Sequence, residues 1–217
     1  MQFDVHTHKF DKSYHAIWNL GLKNHFTSLP EQHYFSIGIH PWEAENFTSE
    51  VLKRITEIAQ HKNCIALGEI GLDRANGPNL DIQKDVFKKQ ALLAEKLNLP
   101  IILHCVKAWN EVKVIKQEIQ PRVPWVFHGF SKSGLIQSVL ESGCFISIGS
   151  SLLSNLSLQE RFNEIPDNRL LFETDNSGLS IDLIYQKAAQ LKGIGIDDLE
   201  TIVEKNIRTI FAQWIIG

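Results

Sequence analysis

The sequence is poor in the features that mark several protein classes. It has three cysteines, Cys64, Cys105 and Cys144, in 217 residues. Their odd number, wide spacing and lack of any Cys-x-x-Cys argue against a disulfide framework or a zinc ribbon. Each falls in an apolar stretch, which fits buried free thiols. No apolar run approaches the roughly 18 residues that a membrane span needs. Met1-Gln2-Phe3-Asp4 lacks a basic region followed by an apolar stretch, so no secretory leader is expected. A reducing cytoplasm is the expected compartment, and no membrane is expected as a partner. Positive charge is not in excess: Lys+Arg is 22 against Asp+Glu 25, a formal net charge of −3. Bulk electrostatics therefore does not advertise nucleic-acid binding, although a local basic groove is compatible with it. No repeat, low-complexity run or linker divides the chain, so one domain over residues 1–217 is expected, with no obligate protein partner.

What is present is a substantial apolar fraction, 43%, and nine histidines. The first supports a core. The second matters because histidine is the commonest metal ligand and the usual acid or base near neutral pH. Short apolar runs recur at Met1–His6, Ala16–Leu22, Tyr34–Ile39, Cys64–Gly68, Ile101–His104, Pro124–Phe127, Cys144–Ile148 and Leu170–Phe172. Many are β-branched or aromatic and bounded by turn residues, as buried strands are. Amphipathic stretches fill most of the gaps. Helices are expected after Thr48-Ser49, after Asp81 as cap, from Leu135 to Leu140 under Ser133, and at a Ser157–Glu160 capping box. Two more are expected from Ile181 to Leu191 under Ser180, and from Asp197 to about Trp214. Eight strands alternating with helices predict a (β/α)₈ barrel of the TIM type. The early connections are too short for normal helices, so those after strands 1 and 2 are expected to be shortened or missing. A doubly wound open sheet shows the same alternation and is the alternative.

Candidate chemistry collects at the expected strand ends, where barrel active sites are built. In Asp4-Val5-His6-Thr7-His8, the i, i+2 spacing turns both imidazoles to one side of a strand. Alone, such a pair is equally well two unrelated polar residues. Glu69 in Gly68-Glu69-Ile70-Gly71-Leu72-Asp73 is a carboxylate able to bridge cations or to pair with a basic residue. His104 and His128 each end an apolar run. A single histidine there is more often a satisfied core residue, but two at equivalent ends shift the odds. Glu173-Thr174-Asp175 follows the last strand. Asp175 there can bind metal, take a proton, or simply cap a loop. Four histidines, one glutamate and one aspartate suit Zn, Mn or Fe, and admit Mg. Six donors suit two ions better than one.

The order of these motifs resembles the TatD family of metal-dependent hydrolases, within the amidohydrolase-like barrels. The resemblance covers nearly the whole chain. It includes Gly38-Ile-His40-Pro41, Leu99-Pro100-Ile-Ile-Leu-His104, Val126-Phe127-His128-x-Phe130-Ser131 and a closing Asn206 to Phe211. It implies a dinuclear centre of two divalent ions (Mg, Mn or Zn) and hydrolase activity, usually on DNA. Carried over by position, His6, His8 and Asp175 would hold one ion, His104 and His128 the second, and Glu69 would bridge them. Asp175 and Glu69 are the candidate catalytic residues, with Asp175 as the base that takes the proton of an activated water. The sequence departs from the family at Val106, where an arginine is usual, and at Asn176-Ser177, where Ser-Pro is usual. His40, Lys107 and Lys132 are candidate substrate contacts. Trp42 and Trp109 could stack a base, although packing is the commoner fate. The expected substrate is DNA. The alternatives are a small phosphoester, amide or lactone, or a binding protein with a vestigial metal site.

Overall fold

A computed structural model describes residues 1–9, 15–21, 30–31, 33–212 and 214. Its strands are β1 (Phe3–Thr7), β2 (His15–Leu20), β3 (Tyr34–Ile37), β4 (Cys64–Asp73), β5 (Ile101–Val106), β6 (Trp125–Phe127), β7 (Phe145–Ile148) and β8 (Leu170–Phe172). The helices are α1 (Ser49–Ala59), α2 (Leu80–Leu97), α3 (Trp109–Ile119), α4 (Ile136–Glu141), α5 (Ser151–Ser154), α6 (Leu156–Arg161), α7 (Ile181–Lys192) and α8 (Ile196–Ile210). The strands form one eight-stranded sheet in the order β1 to β8. Every pair with a described register is parallel, and Thr7 at the end of β1 bridges Asp175, just beyond β8. Sequential parallel order with the last strand back beside the first is the (β/α)₈ class. A doubly wound sheet would have set β1 in the interior of the strand order.

β1 ends at Thr7 and β2 begins at His15, a connection shorter than the dozen or so residues of a helical crossover. The expected shortening of the first two helices falls largely on residues 10–14 and 22–29, outside the described residues. Other expectations need correction. β4 runs on to Asp73 and β5 to Val106, so Glu69 and His104 lie inside strands. Gly71 explains the extension: a Cβ there would sit 1.9 Å from the His104 carbonyl oxygen, at a φ of +148°. Only a glycine lets β4 pass that close to β5. Asn79, not Asp81, caps α2. Asn155, not Ser157, caps α6, accepting from the Leu158 N–H at 3.1 Å. The last helix stops at Ile210. Ser180 caps α7 and Gly193 ends it at φ 66°, as expected.

The chain groups into two compact units. The first comprises residues 1–18 and 126–217. Its apolar core includes Phe3, Val5, Phe172, Tyr185 and Ile207. The Tyr185 hydroxyl accepts from the Phe3 N–H at 3.0 Å and donates to the Phe3 carbonyl at 3.1 Å, tying α7 to β1. Asn206 of α8 donates to the carbonyls of Asp167 at 2.7 Å and Leu170 at 2.9 Å, fixing the entry to β8. The second unit comprises residues 19–125. Here β4 is buried along its whole length, with α2 packed against it through Val86, Phe87, Ala91 and Ala94. Two buried glutamines on α2 act as backbone clamps. Gln90 accepts from the Ile39 N–H at 2.7 Å and donates to the Ile39 carbonyl at 3.1 Å. Gln83 accepts from the Asp73 N–H at 2.8 Å and donates to the Asp73 carbonyl at 2.9 Å. Cys64 and Cys144 are buried free thiols, as expected, whereas Cys105 near the end of β5 is half-buried.

Candidate metal centre

In the first unit, His6, His8 and Asp175 come together. His6 is fully buried within β1, and His8 follows as the strand ends. Asp175 is held against β1 by its own N–H, which donates to the His6 carbonyl at 2.9 Å. Its φ is +49°, a left-handed conformation uncommon for any residue with a side chain. Asp175 Oδ1 lies 3.3 Å from His8 Nε2 and 3.7 Å from His6 Nε2. Donors about 2.1 Å from one cation stand about 3.4 Å apart at tetrahedral angles, so this spacing fits a shared divalent ion. The imidazole and carboxylate chemistry fits as well.

His128 follows β6, and its ring lies 4.4 Å from that of His6. Its Nδ1 meets Glu173 Oε1 at 3.3 Å. Glu173 also accepts from the Gly129 N–H at 2.5 Å and from the Ser147 hydroxyl. Burial pushes this carboxyl up, but the charges of His128 and His6 and the bonds from His128 and Ser147 outweigh it. They hold Glu173 below the ordinary carboxylate value. A carboxylate on one imidazole nitrogen fixes the ring and leaves the other nitrogen as a donor to a cation. Asp4 plays a different part. Its carboxylate accepts from the Thr174 N–H at 3.0 Å and the Thr174 hydroxyl at 2.5 Å, tying β1 to the chain leaving β8. Burial pushes its carboxyl up to about 7 against those bonds.

In the second unit, His40, Glu69 and His104 form another group. His104 Nδ1 lies 2.5 Å from Glu69 Oε1. His40 Nε2 is 3.4 Å from the same oxygen and 3.3 Å from His104 Nδ1. The three offer donor atoms all within 4.8 Å of one another. On its far side, His104 Nε2 faces Asp73 Oδ2 at 3.4 Å. Asp73 also accepts from the Trp42 indole at 2.6 Å and from the N–H groups of Ala75 and Asn76 at 2.8 and 3.0 Å. Burial opposes its ionisation, yet these bonds prevail and hold its carboxyl below the ordinary value. Glu69 is positioned by its own N–H, which donates to Asn19 at 3.0 Å.

The sequence thus picked the histidines and Asp175, but gave no role to Glu173, Asp73 or Asp4. All three stood inside quoted motifs. The available signal was parity: Asp73 lies four residues from Glu69 on one strand, and Glu173 two from Asp175. His40, expected to contact substrate, lies beside the potential metal donors Glu69 and His104. Lys107 and Lys132 are exposed. Beside Val106, Arg74 donates through its backbone N–H to the Val106 carbonyl at 2.9 Å. Its guanidinium is engaged by Glu111 and by the Lys107 carbonyl.

The family model described as TatD related DNase matches residues 11–212. The chain belongs to the TatD family. Among its relatives, it is 31% identical over 196 residues to the uncharacterized metal-dependent hydrolase YabD of Bacillus subtilis. That match covers 82% of this chain and 77% of YabD. It is 27% identical over 197 residues to the 3'-5' ssDNA/RNA exonuclease TatD of Pantoea ananatis, covering 80% and 76%. The crystal structure of the TatD homologue YJJV from Escherichia coli superposes with a TM-score of 0.81 at 19% identity. It covers 97% of this chain and 98% of that one. A TatD family hydrolase from Entamoeba histolytica gives 0.80 at 17% identity, covering 98% of each. The fold is therefore shared with these TatD proteins over 97–98% of this chain.

Proposed function

We propose that this TatD-family protein is a metal-dependent hydrolase that cleaves phosphodiester bonds in single-stranded nucleic acid. The observation that carries the reading is the 3.3 and 3.7 Å spacing of His8 and His6 from one Asp175 oxygen. The exonuclease name of the Pantoea relative supports the substrate class. The proposed ligands are His6, His8, Glu69, His104, His128 and Asp175, with His40 added by its distance from Glu69. The proposed complement is two divalent ions of Mg, Mn or Zn. Such ions supply Lewis acidity, hydroxide at neutral pH and neutralisation of phosphoryl charge.

The chain's own residues do the rest. Asp175 is the candidate proton acceptor because its carboxylate is partly exposed while His6 and His8 hold it in place. Glu173 and Asp73 fix the rings of His128 and His104. Lys107 and Lys132, both exposed, remain candidate phosphate contacts.

The test begins with the metal content of the purified protein. Hydrolysis of single-stranded DNA and of a generic phosphodiester is then measured with Mg, Mn and Zn. About two ions per chain with metal-dependent DNA cleavage is the expected result. Cleavage of small esters alone would move the substrate and keep the centre. Failure to take up any ion would remove the mechanism.

A further inference from the structure

Trp42 is a large apolar side chain in an unusual setting. It is 55% exposed, yet it is not loose. Its indole N–H donates to buried Asp73 at 2.6 Å, and its backbone N–H donates to His40 Nδ1 at 3.2 Å. Residues Pro41–Asn46 form a 3₁₀ turn that fixes its backbone. Gly77, at φ 86°, closes on its pyrrole edge: a Cβ there would lie 3.0 Å from Trp42 Cα and 3.3 Å from Cδ1. One edge of the indole is therefore pinned, while the residue as a whole stays 55% exposed. The ring stands 4.7 Å from that of His40 and 6.3 Å from that of His104. Trp109, the other tryptophan with a strand-end position, is only 6% exposed and belongs to the core.

A single exposed aromatic ordinarily needs no explanation. This one differs because a buried carboxylate that also faces His104 fixes its orientation. A pre-oriented aromatic has already lost the rotamer freedom that binding would otherwise remove. Every nucleobase presents a π-face, so such a ring accepts a base without reading its identity. The −3 net charge favours a contact of this kind over a purely electrostatic grip.

We propose that the Trp42 indole is a stacking platform for a nucleobase of the single-stranded substrate, with the adjoining phosphate directed to the His40–Glu69–His104 group. This rests on the nucleic-acid reading given above. It makes Trp42 a substrate-positioning residue with a preference for strands that carry bases, and with little preference among the four.

The experiment compares the wild-type protein with Trp42→Ala and Trp42→Phe. Binding of a fluorescent single-stranded oligodeoxynucleotide is measured by anisotropy, beside an abasic strand of the same length. Metal content and hydrolysis are measured in parallel. A base stack contributes about 1–3 kcal/mol. With metal held saturating, because Trp42 also donates to Asp73 beside His104, Trp42→Ala should therefore weaken binding of the base-bearing strand about 5- to 150-fold and leave the abasic strand unchanged. Trp42→Phe, which keeps an aromatic face but not the indole N–H to Asp73, should restore part of the affinity. Equal weakening for both strands, or no weakening for either, would overturn the proposal. So would weakening that merely tracks lost metal. A protein that binds with this base-dependent preference but cleaves no phosphodiester would overturn the hydrolytic reading and leave the stacking role standing.

Discussion

The two donor groups rest on differently built ground. In the first unit, Asp175 and His8 lie where the chain leaves its strands, with side chains 42% and 32% exposed. In the second, Glu69 and His104 sit inside paired strands, with side chains 5% and 12% exposed. Buried amides brace their surroundings there: Asn19 behind Glu69, Gln83 around Asp73, Gln90 around Ile39. The comparison separates two tasks. An exposed, conformationally strained carboxylate can exchange protons with solvent and substrate. A buried group inside β-structure is suited to holding fixed donors. The variants that follow attack that division.

The largest effect should come from Asp175→Asn. Asparagine tolerates a φ near +49° better than most residues, so the backbone should survive. The substitution removes a proton acceptor and a charged donor together. Turnover of single-stranded DNA should fall by about 10²- to 10⁴-fold, with the circular dichroism spectrum unchanged. Persistent metal-dependent turnover would remove Asp175 from the chemistry and erase the distinction between the units.

Next come the two carboxylates behind the imidazoles. Asp73→Asn should lower metal affinity by about 10- to 100-fold, because the partner that orients His104 is weakened. Titration with Mn or Zn reads this directly. Glu173→Gln should do the same at His128 and also reduce stability. Gly129 N–H and the Ser147 hydroxyl both donate to that carboxylate, and the new amide N–H₂ would face a donor. A strained buried pairing of this kind costs about 1–3 kcal/mol. If Asp73→Asn destabilises as much as Glu173→Gln while sparing metal affinity, the braced group is structural.

Much of this was legible in the sequence, and what was not has a physical reason. Period-2 spacing in Asp4-x-His6-x-His8 fixed which imidazoles share a side of β1. Strand alternation predicted the fold class, and Ser180 with Gly193 bounded α7. Hydrophobic runs, however, mark burial rather than pairing. They stopped β4 at Gly68 because Glu69 and Asp73 interrupt the apolar run, although backbone pairing with β5 continues to Asp73. Capping oxygens compete locally, so Asn79 and Asn155 displaced Asp81 and Ser157. The roles of Glu173, Asp73 and Gln90 depend on partners tens of residues away, which no local window contains.

A third test probes the bracing itself. Gln90→Ala should orphan the buried N–H and carbonyl of Ile39, the residue before His40. Each unsatisfied group costs about 1–3 kcal/mol. The urea midpoint should fall clearly, and a cavity would deepen the loss. An unchanged midpoint would show that α2 does not hold this segment.

The smallest effect concerns the thiols, which repeat the contrast between buried and open ground within one unit. Burial pushes the Cys64 thiol up to about 12. Only the thiolate reacts with alkylating reagents. Half-buried Cys105 should therefore be modified at neutral pH while Cys64 stays protected until the protein unfolds. The same shift sets a stability slope. An unfolded Cys64 loses its proton near pH 9, whereas the folded thiol keeps it to about 12. Its contribution is therefore complete below pH 9 and declines as pH rises from 9 towards 12. Cys64→Ala should flatten that alkaline decline slightly, at the expense of the packing its sulfur provides. An unchanged slope would place the thiol in a wetter site than its burial indicates.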